Sequence, residues 1–125
     1  MTELVLFQPI DIKFNENVND RWHLNPYCKV KLGRHHAKAS VAHLGKDHPF
    51  CADIIYLKRK HKEEFASIQV KEKHGLNIHN KLGKARIDLR EVFEKGKISQ
   101  WYDLMLGDKI TGTILLDIVY HLQYI

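Results

Sequence analysis

Between Tyr27 and Leu32 the chain alternates strictly, with Cys28, Val30 and Leu32 in one phase and Tyr27, Lys29 and Lys31 in the other. Extended backbone sends successive side chains to opposite faces, so it sorts such a run into a buried face and a cationic face. The same period of two recurs along the chain, while stripes at the helical period are nearly absent. An all-β fold is therefore expected. Candidate strands run over 4–14, 26–32, 37–43, 50–57, 65–71, 82–89, 100–104 and 113–122, separated by connections rich in Asn, Gly or charge. Eight short strands of this kind predict an antiparallel β-sandwich of two sheets. A short helical turn is expected at 90–94, just before Gly96.

The stretch from Arg21 to Lys46 contains no Asp or Glu but six Lys or Arg and four His. If strands 26–32 and 37–43 pair as a hairpin through Gly33 and Arg34, then Lys29, Lys31, His36 and Lys38 fall on one outward face. Directly opposed like charges destabilise a strand pair, so a face that keeps them together is a candidate anion site with Arg34 beside it. The alternative is a solvated face whose lysines discourage pairing at the edge.

At 125 residues, one core is expected over 1–125, with no second domain. No apolar run approaches the roughly 18 residues of a membrane span, and the beginning Met1-Thr2-Glu3-Leu4 lacks the basic flank and apolar run of a signal peptide. A cytoplasmic location is expected. The net charge of +5 biases encounters toward anionic partners without choosing among lipid, nucleic acid and acidic protein. Cys28 and Cys51 have no zinc spacing, and Cys28 shares the apolar phase of Val30 and Leu32, so it reads as a small buried hydrophobe.

The run Asn25-Pro26-Tyr27-Cys28-Lys29-Val30-Lys31-Leu32 resembles the Asp-Pro-Tyr-x-x-Val-x-Leu signature of C2 domains. Downstream, Asn80-Lys81-Leu82-Gly83, Trp101-Tyr102-Asp103-Leu104 and Gly112-Thr113-Ile114-Leu115-Leu116 are similar to further family segments, in order and at family spacing. The resemblance implies a Greek-key sandwich. Because the strand before the Pro-Tyr signature comes first and the Gly112 strand last, it implies the circular arrangement called type II, as in calcium-independent, novel protein kinase C-like signalling domains. It also implies peripheral membrane binding without catalysis.

Calcium-binding members of the family carry aspartates on two top loops, because Ca²⁺ takes about six to eight oxygen ligands and needs strong negative charge. The matching positions here are Asn19, Asn25, Glu72, His74 and Asn80, none of them Asp. Asp20 could add a second carboxylate if the alignment slips by one, which still falls short of a two-ion site. No calcium binding is expected. The same loops offer Trp22 and Leu24 beside Arg21, and Leu76 and Ile78 near Lys73, a composition suited to a membrane interface. The competing reading is that Trp22 and Ile78 fold back onto their own scaffold.

No phosphate-binding Gly loop, nucleophile elbow or paired acid/base frame is present, so no enzyme and no cofactor are expected. The histidines lack metal-ligand spacing, and no nucleic-acid motif accompanies the positive charge. The basic run 58–62 reads as a solvated connection. The expected function is a calcium-independent module for anionic phospholipids, with phosphoinositides as one candidate class. The alternative is a protein-interaction module for an acidic or phosphorylated segment.

Overall fold

The computed structural model describes residues 1–15, 25–43, 49–51, 53–74 and 78–124. Its elements are β1 (Thr2–Phe14), β2 (Asn25–Leu32), β3 (His35–His43), β4 (Pro49–Cys51), β5 (Ile55–Arg59), β6 (Phe65–His74), β7 (Ile78–Asp88), α1 (Arg90–Lys95), β8 (Lys97–Leu106) and β9 (Lys109–Gln123). The hydrogen-bonded order is β4-β3-β2-β6-β7-β8-β9-β1-β5, and every neighbouring pair is antiparallel. Two layers result, β4-β3-β2-β6-β7 and β8-β9-β1-β5, joined among the described residues by the single pair Lys84 and Met105. The closing strand β9 lies between β8 and β1.

The alternation seen in the sequence is what fills the core. Cys28, Val30 and Leu32 of β2, Ile68 and Val70 of β6 and Ile87 of β7 are fully buried from one layer. From the other come Val5, Phe7 and Ile12 of β1, Leu104 of β8 and Ile114, Leu116 and Ile118 of β9. Cys28 is buried among them, as its phase requires.

Among the described residues three register slips adjust this pattern, one of them between Leu104 and Met105 on the β8–β9 pair. Register slips between Pro9 and Asp11 on β1, where Pro9 brings no N–H to the ladder, and Ile10 is partly exposed at the slip. A second slip follows Val70 on the β6–β7 pair, so adjacent Leu82 and Gly83 of β7 are both buried before alternation resumes at Ala85 and Ile87.

Among the described residues the eight expected strands become nine because segment 50–57 splits. β4 pairs with β3, whereas β5 pairs with β1 in the other layer, with exposed Asp53 and Ile54 between them. The basic run 58–62 is also corrected, since Lys58 and Arg59 belong to β5 and pair with β1. Arg59 ends β5, and its guanidinium donates to Glu3 Oε1 at 2.9 Å and stacks 3.8 Å from the Phe93 ring centroid. The Tyr120 hydroxyl donates to the same Glu3 oxygen, and Phe93 meets Tyr120 edge-on with ring centroids 4.9 Å apart. This cluster ties the start of β1, the end of β5, α1 and β9 together.

The Tyr120 hydrogen bond, aided by the Arg59 hydrogen bond and charge and opposed by burial, holds the Glu3 carboxyl below its ordinary range. Its stabilising contribution is complete above the ordinary carboxylate range and is lost as pH falls through the lower, folded value. Glu3→Gln should cost about 1 kcal/mol at neutral pH, a modest figure because the pair is partly exposed. Urea unfolding should show the difference between variant and parent shrinking in strong acid. A gap that does not change with pH would mean Glu3 acts through packing alone.

Candidate functional site: a cationic sheet face

A two-residue turn, Gly33-Arg34, closes the β2–β3 hairpin. Gly33 has φ of 60°, as expected for the first central residue of such a tight hairpin turn. The register then sets Lys29 opposite Lys38 and Lys31 opposite His36, as the sequence predicts. Lys38 Nζ lies 5.6 Å from the Tyr27 ring centroid. Arg34 is exposed in the turn, just beyond the Lys31–His36 pair.

β6 and β7 extend this face further than local patterns reveal. Across β2–β6, Tyr27 faces Lys71, Lys29 faces Gln69 and Lys31 faces Ser67. Across β6–β7, Lys71 faces Lys81, Gln69 faces Lys84 and Ser67 faces Arg86. The outer surface of four adjacent strands therefore carries Lys71, Lys81, Lys84 and Arg86 in addition to the expected residues. The signal was present in the alternation of Ala66, Ile68 and Val70 with Ser67, Gln69 and Lys71. What the sequence lacked was the non-local pairing that puts β6 beside β2.

Lys71 registers the electrostatic consequence. Burial, then the charges of Lys29, Lys81 and Lys38, push its ammonium below the ordinary lysine range. At the outer end of the face, Arg86 lies 4.1 Å from the Phe65 ring centroid and Arg90 5.5 Å, while Arg90 also pairs with Asp88 at 2.6 Å.

Of the positions compared with calcium ligands, Glu72 and Asn80 lie directly opposite each other on β6 and β7. Glu72 is only 2% exposed, and its Oε1 accepts a hydrogen bond from Asn80 Nδ2 at 3.2 Å. One candidate ligand has thus become the hydrogen-bond donor to another. Asn25, Lys73, His74 and Ile78 belong to described strands, but their side chains fall outside the description. Asn19, Arg21, Trp22, Leu24 and Leu76 lie outside the described residues.

A sequence model of the C2 domain matches residues 10–104. The chain belongs to the C2 domain family. Its structure is similar to that of a C2 domain-containing protein from a putative elicitor-responsive gene, with a TM-score of 0.81 and 16% identity over 96% of this chain and 89% of that one. It is also similar to a C2 domain of plant Extended Synaptotagmin 1, with a TM-score of 0.69 and 15% identity over 94% and 92% of the two chains. The calcium-bound C2 domains of Extended-Synaptotagmin 2 give a TM-score of 0.69 and 15% identity over 94% of this chain and 45% of that one. At these identities the shared property is the fold. No curated protein matches the sequence.

In this C2 domain the crowding around Lys71 is a stability cost present while its ammonium is charged, that is, below its folded value and hence at neutral pH. Lys71→Gln should therefore raise stability by about 0.5 kcal/mol near neutral pH, with the gain fading in strong alkali. Thermal unfolding at the two pH values measures this. A loss of stability at neutral pH would show that the Lys71 stem contributes more by packing than its charge costs.

Proposed function

We propose that this C2 domain is a calcium-independent, peripheral membrane-targeting module for the cytoplasmic face of anionic membranes. Lys29, Lys31, His36, Lys38 and Arg34 bind lipid phosphates, phosphoinositides among them, and Lys71 and Lys81 extend the same surface. The observation that carries this reading is the opposition of like charges, Lys29 against Lys38 and Lys71 against Lys81, on adjacent strands. An anionic surface relieves that repulsion, and each basic residue brought near it contributes on the order of 1 kcal/mol. Trp22, Leu24 and Leu76 with Arg21, together with Ile78 at the start of β7 and Lys73 near the end of β6, serve as the interfacial contacts, and 1–125 acts as one module. The position of β9 between β1 and β8 supports the type II arrangement.

Calcium does not fit the donor set. The compared positions supply one carboxylate, Glu72, which is buried and hydrogen-bonded to Asn80, with Lys71 and Lys81 on the flanking pair of the same ladder. Ca²⁺ requires several hard anionic oxygens to offset its dehydration. No helix among the described residues is long and apolar enough to cross a bilayer, so the reading invokes surface attachment.

Liposome co-sedimentation with neutral, phosphatidylserine and phosphoinositide vesicles, with Ca²⁺ and with a chelator, tests the proposal. Binding to anionic vesicles should be the same in chelator, and Lys29→Glu with Lys31→Glu should weaken it by roughly tenfold or more. Absence of sedimentation under every condition would sink the membrane reading and leave the acidic-segment alternative for the same face. A strict calcium requirement would overturn the calcium-independent part.

A further inference from the structure

The two layers meet at an unusual place. Among the described residues only Lys84 and Met105 pair between β7 and β8, and the contact is kept close from the β7 side by Gly83. A Cβ added at Gly83 would lie 2.7 Å from Leu104 Cβ and 2.8 Å from Thr111 Oγ1. The Thr111 hydroxyl donates to the Leu82 carbonyl at 2.7 Å, fastening the start of β9 to the bulge of β7. The β8–β9 hairpin therefore stands against β7 and leaves a groove of about 510 Å³ alongside it.

The two walls of that groove differ in chemistry. Lys81, Lys84 and Arg86 of β7, with Gln69 of β6, form one side, and Met105 and Leu106 of β8 form the other. No described residue lining it carries a carboxylate. Leu106 is 45% exposed and Ile110, across the turn, is 50% exposed. The hairpin tip lies at the end of the sandwich where β1 finishes, since Phe14 pairs with Gly112 and the Asn15 side-chain amide donates to the Ile110 carbonyl. A second hollow of about 320 Å³ shares Lys84 and Arg86 and reaches Lys31, so the groove adjoins the basic face without coinciding with the β2–β3 hairpin.

We infer that this seam groove is a binding site for one anionic amphiphile, a phosphate-headed lipid. Its phosphate is held by Lys81, Lys84 and Arg86, and its glycerol and first methylenes lie along Met105 and Leu106. The charge of one wall selects the phosphate, and the thioether and aliphatic surface of the other rewards attached chain. The inference rests on the membrane reading and deepens it, because it assigns the surface a site for an individual lipid molecule as well as a field that attracts many.

The test uses the whole chain and soluble ligands. Backbone amide shifts are followed by nuclear magnetic resonance during titration with dihexanoyl phosphatidic acid, glycerol 3-phosphate and inorganic phosphate. Shifts should appear on both walls, and Lys84→Glu with Arg86→Glu should weaken the lipid by about tenfold or more. Leu106→Asn should weaken the short-chain lipid several-fold and leave glycerol 3-phosphate unaffected. Equal affinity for lipid and inorganic phosphate would overturn the lipid assignment, as would lipid shifts confined to Lys29, Lys31 and Lys38. In that last case, anionic vesicle binding by the parent chain leaves the broader membrane reading standing while this inference falls alone. Thermal unfolding of each variant checks that these exposed substitutions leave the fold intact.

Discussion

Packing of the two inner sheet faces against one another is the interaction on which everything else in this C2 domain depends. Val30, Leu32, Ile68, Val70 and Ile87 are fully buried from one side, and Phe7, Ile12, Ile114, Leu116 and Ile118 from the other. Each such side chain contributes roughly 1.5–3 kcal/mol when removed from water, an upper range because unfolded chains are partly compact. Like charges opposed across a ladder cost only a few tenths. The core therefore decides the register, and a one-residue slip of β2 would bury Lys29 and Lys31 while exposing Val30. The cations stand together because the apolar residues between them have nowhere else to go.

This hierarchy explains which parts of the structure could be read in advance. Alternation in 26–32 and the Gly33-Arg34 turn are local, and they place Lys29, Lys31, His36 and Lys38 on one face without knowledge of the rest of the chain. Lys71, Lys81, Lys84 and Arg86 join that face only because β6 pairs with β2 across the intervening chain 33–64, a pairing that no local pattern encodes. Bulges are hidden for a related reason. The slip at Pro9–Asp11 and the adjacent buried pair Leu82 and Gly83 break the phase by one residue, so strict alternation misassigns a face until the partner strand is known. Arg59 shows the same limit in another form. Within 58–62 it looks like one more solvated cation, yet Glu3, distant in sequence, captures it, and Tyr120 donates to the same carboxylate oxygen.

The Glu72–Asn80 pair shows how a buried carboxylate at a sheet position is satisfied from the facing strand. A carboxylate cluster held for a cation must tolerate mutual repulsion until the cation arrives. Here the buried carboxylate accepts a hydrogen bond from an amide directly across the ladder, which satisfies one of its oxygens within the protein. The repulsion that remains in this region is of the opposite sign, among Lys29, Lys38, Lys71 and Lys81. A surface arranged in this way is complementary to anions where the calcium-type arrangement is complementary to cations.

The seam between the layers follows from the same core constraint. Among the described residues β7 and β8 share the single ladder pair Lys84 and Met105, at the border where one twisted layer gives way to the other. Gly83 and Thr111 make that meeting close, and the β8–β9 hairpin consequently projects beside the cationic strands. On a flat basic sheet, binding strength would simply count charges, because every phosphate would meet the same solvated lysines. An apolar wall set against Lys84 and Arg86 changes the terms, since a ligand must then present phosphate and hydrocarbon at a fixed separation to use both. In the proposed binding mode, selectivity among anions is a property of the sheet boundary, whereas attraction is a property of the sheet face.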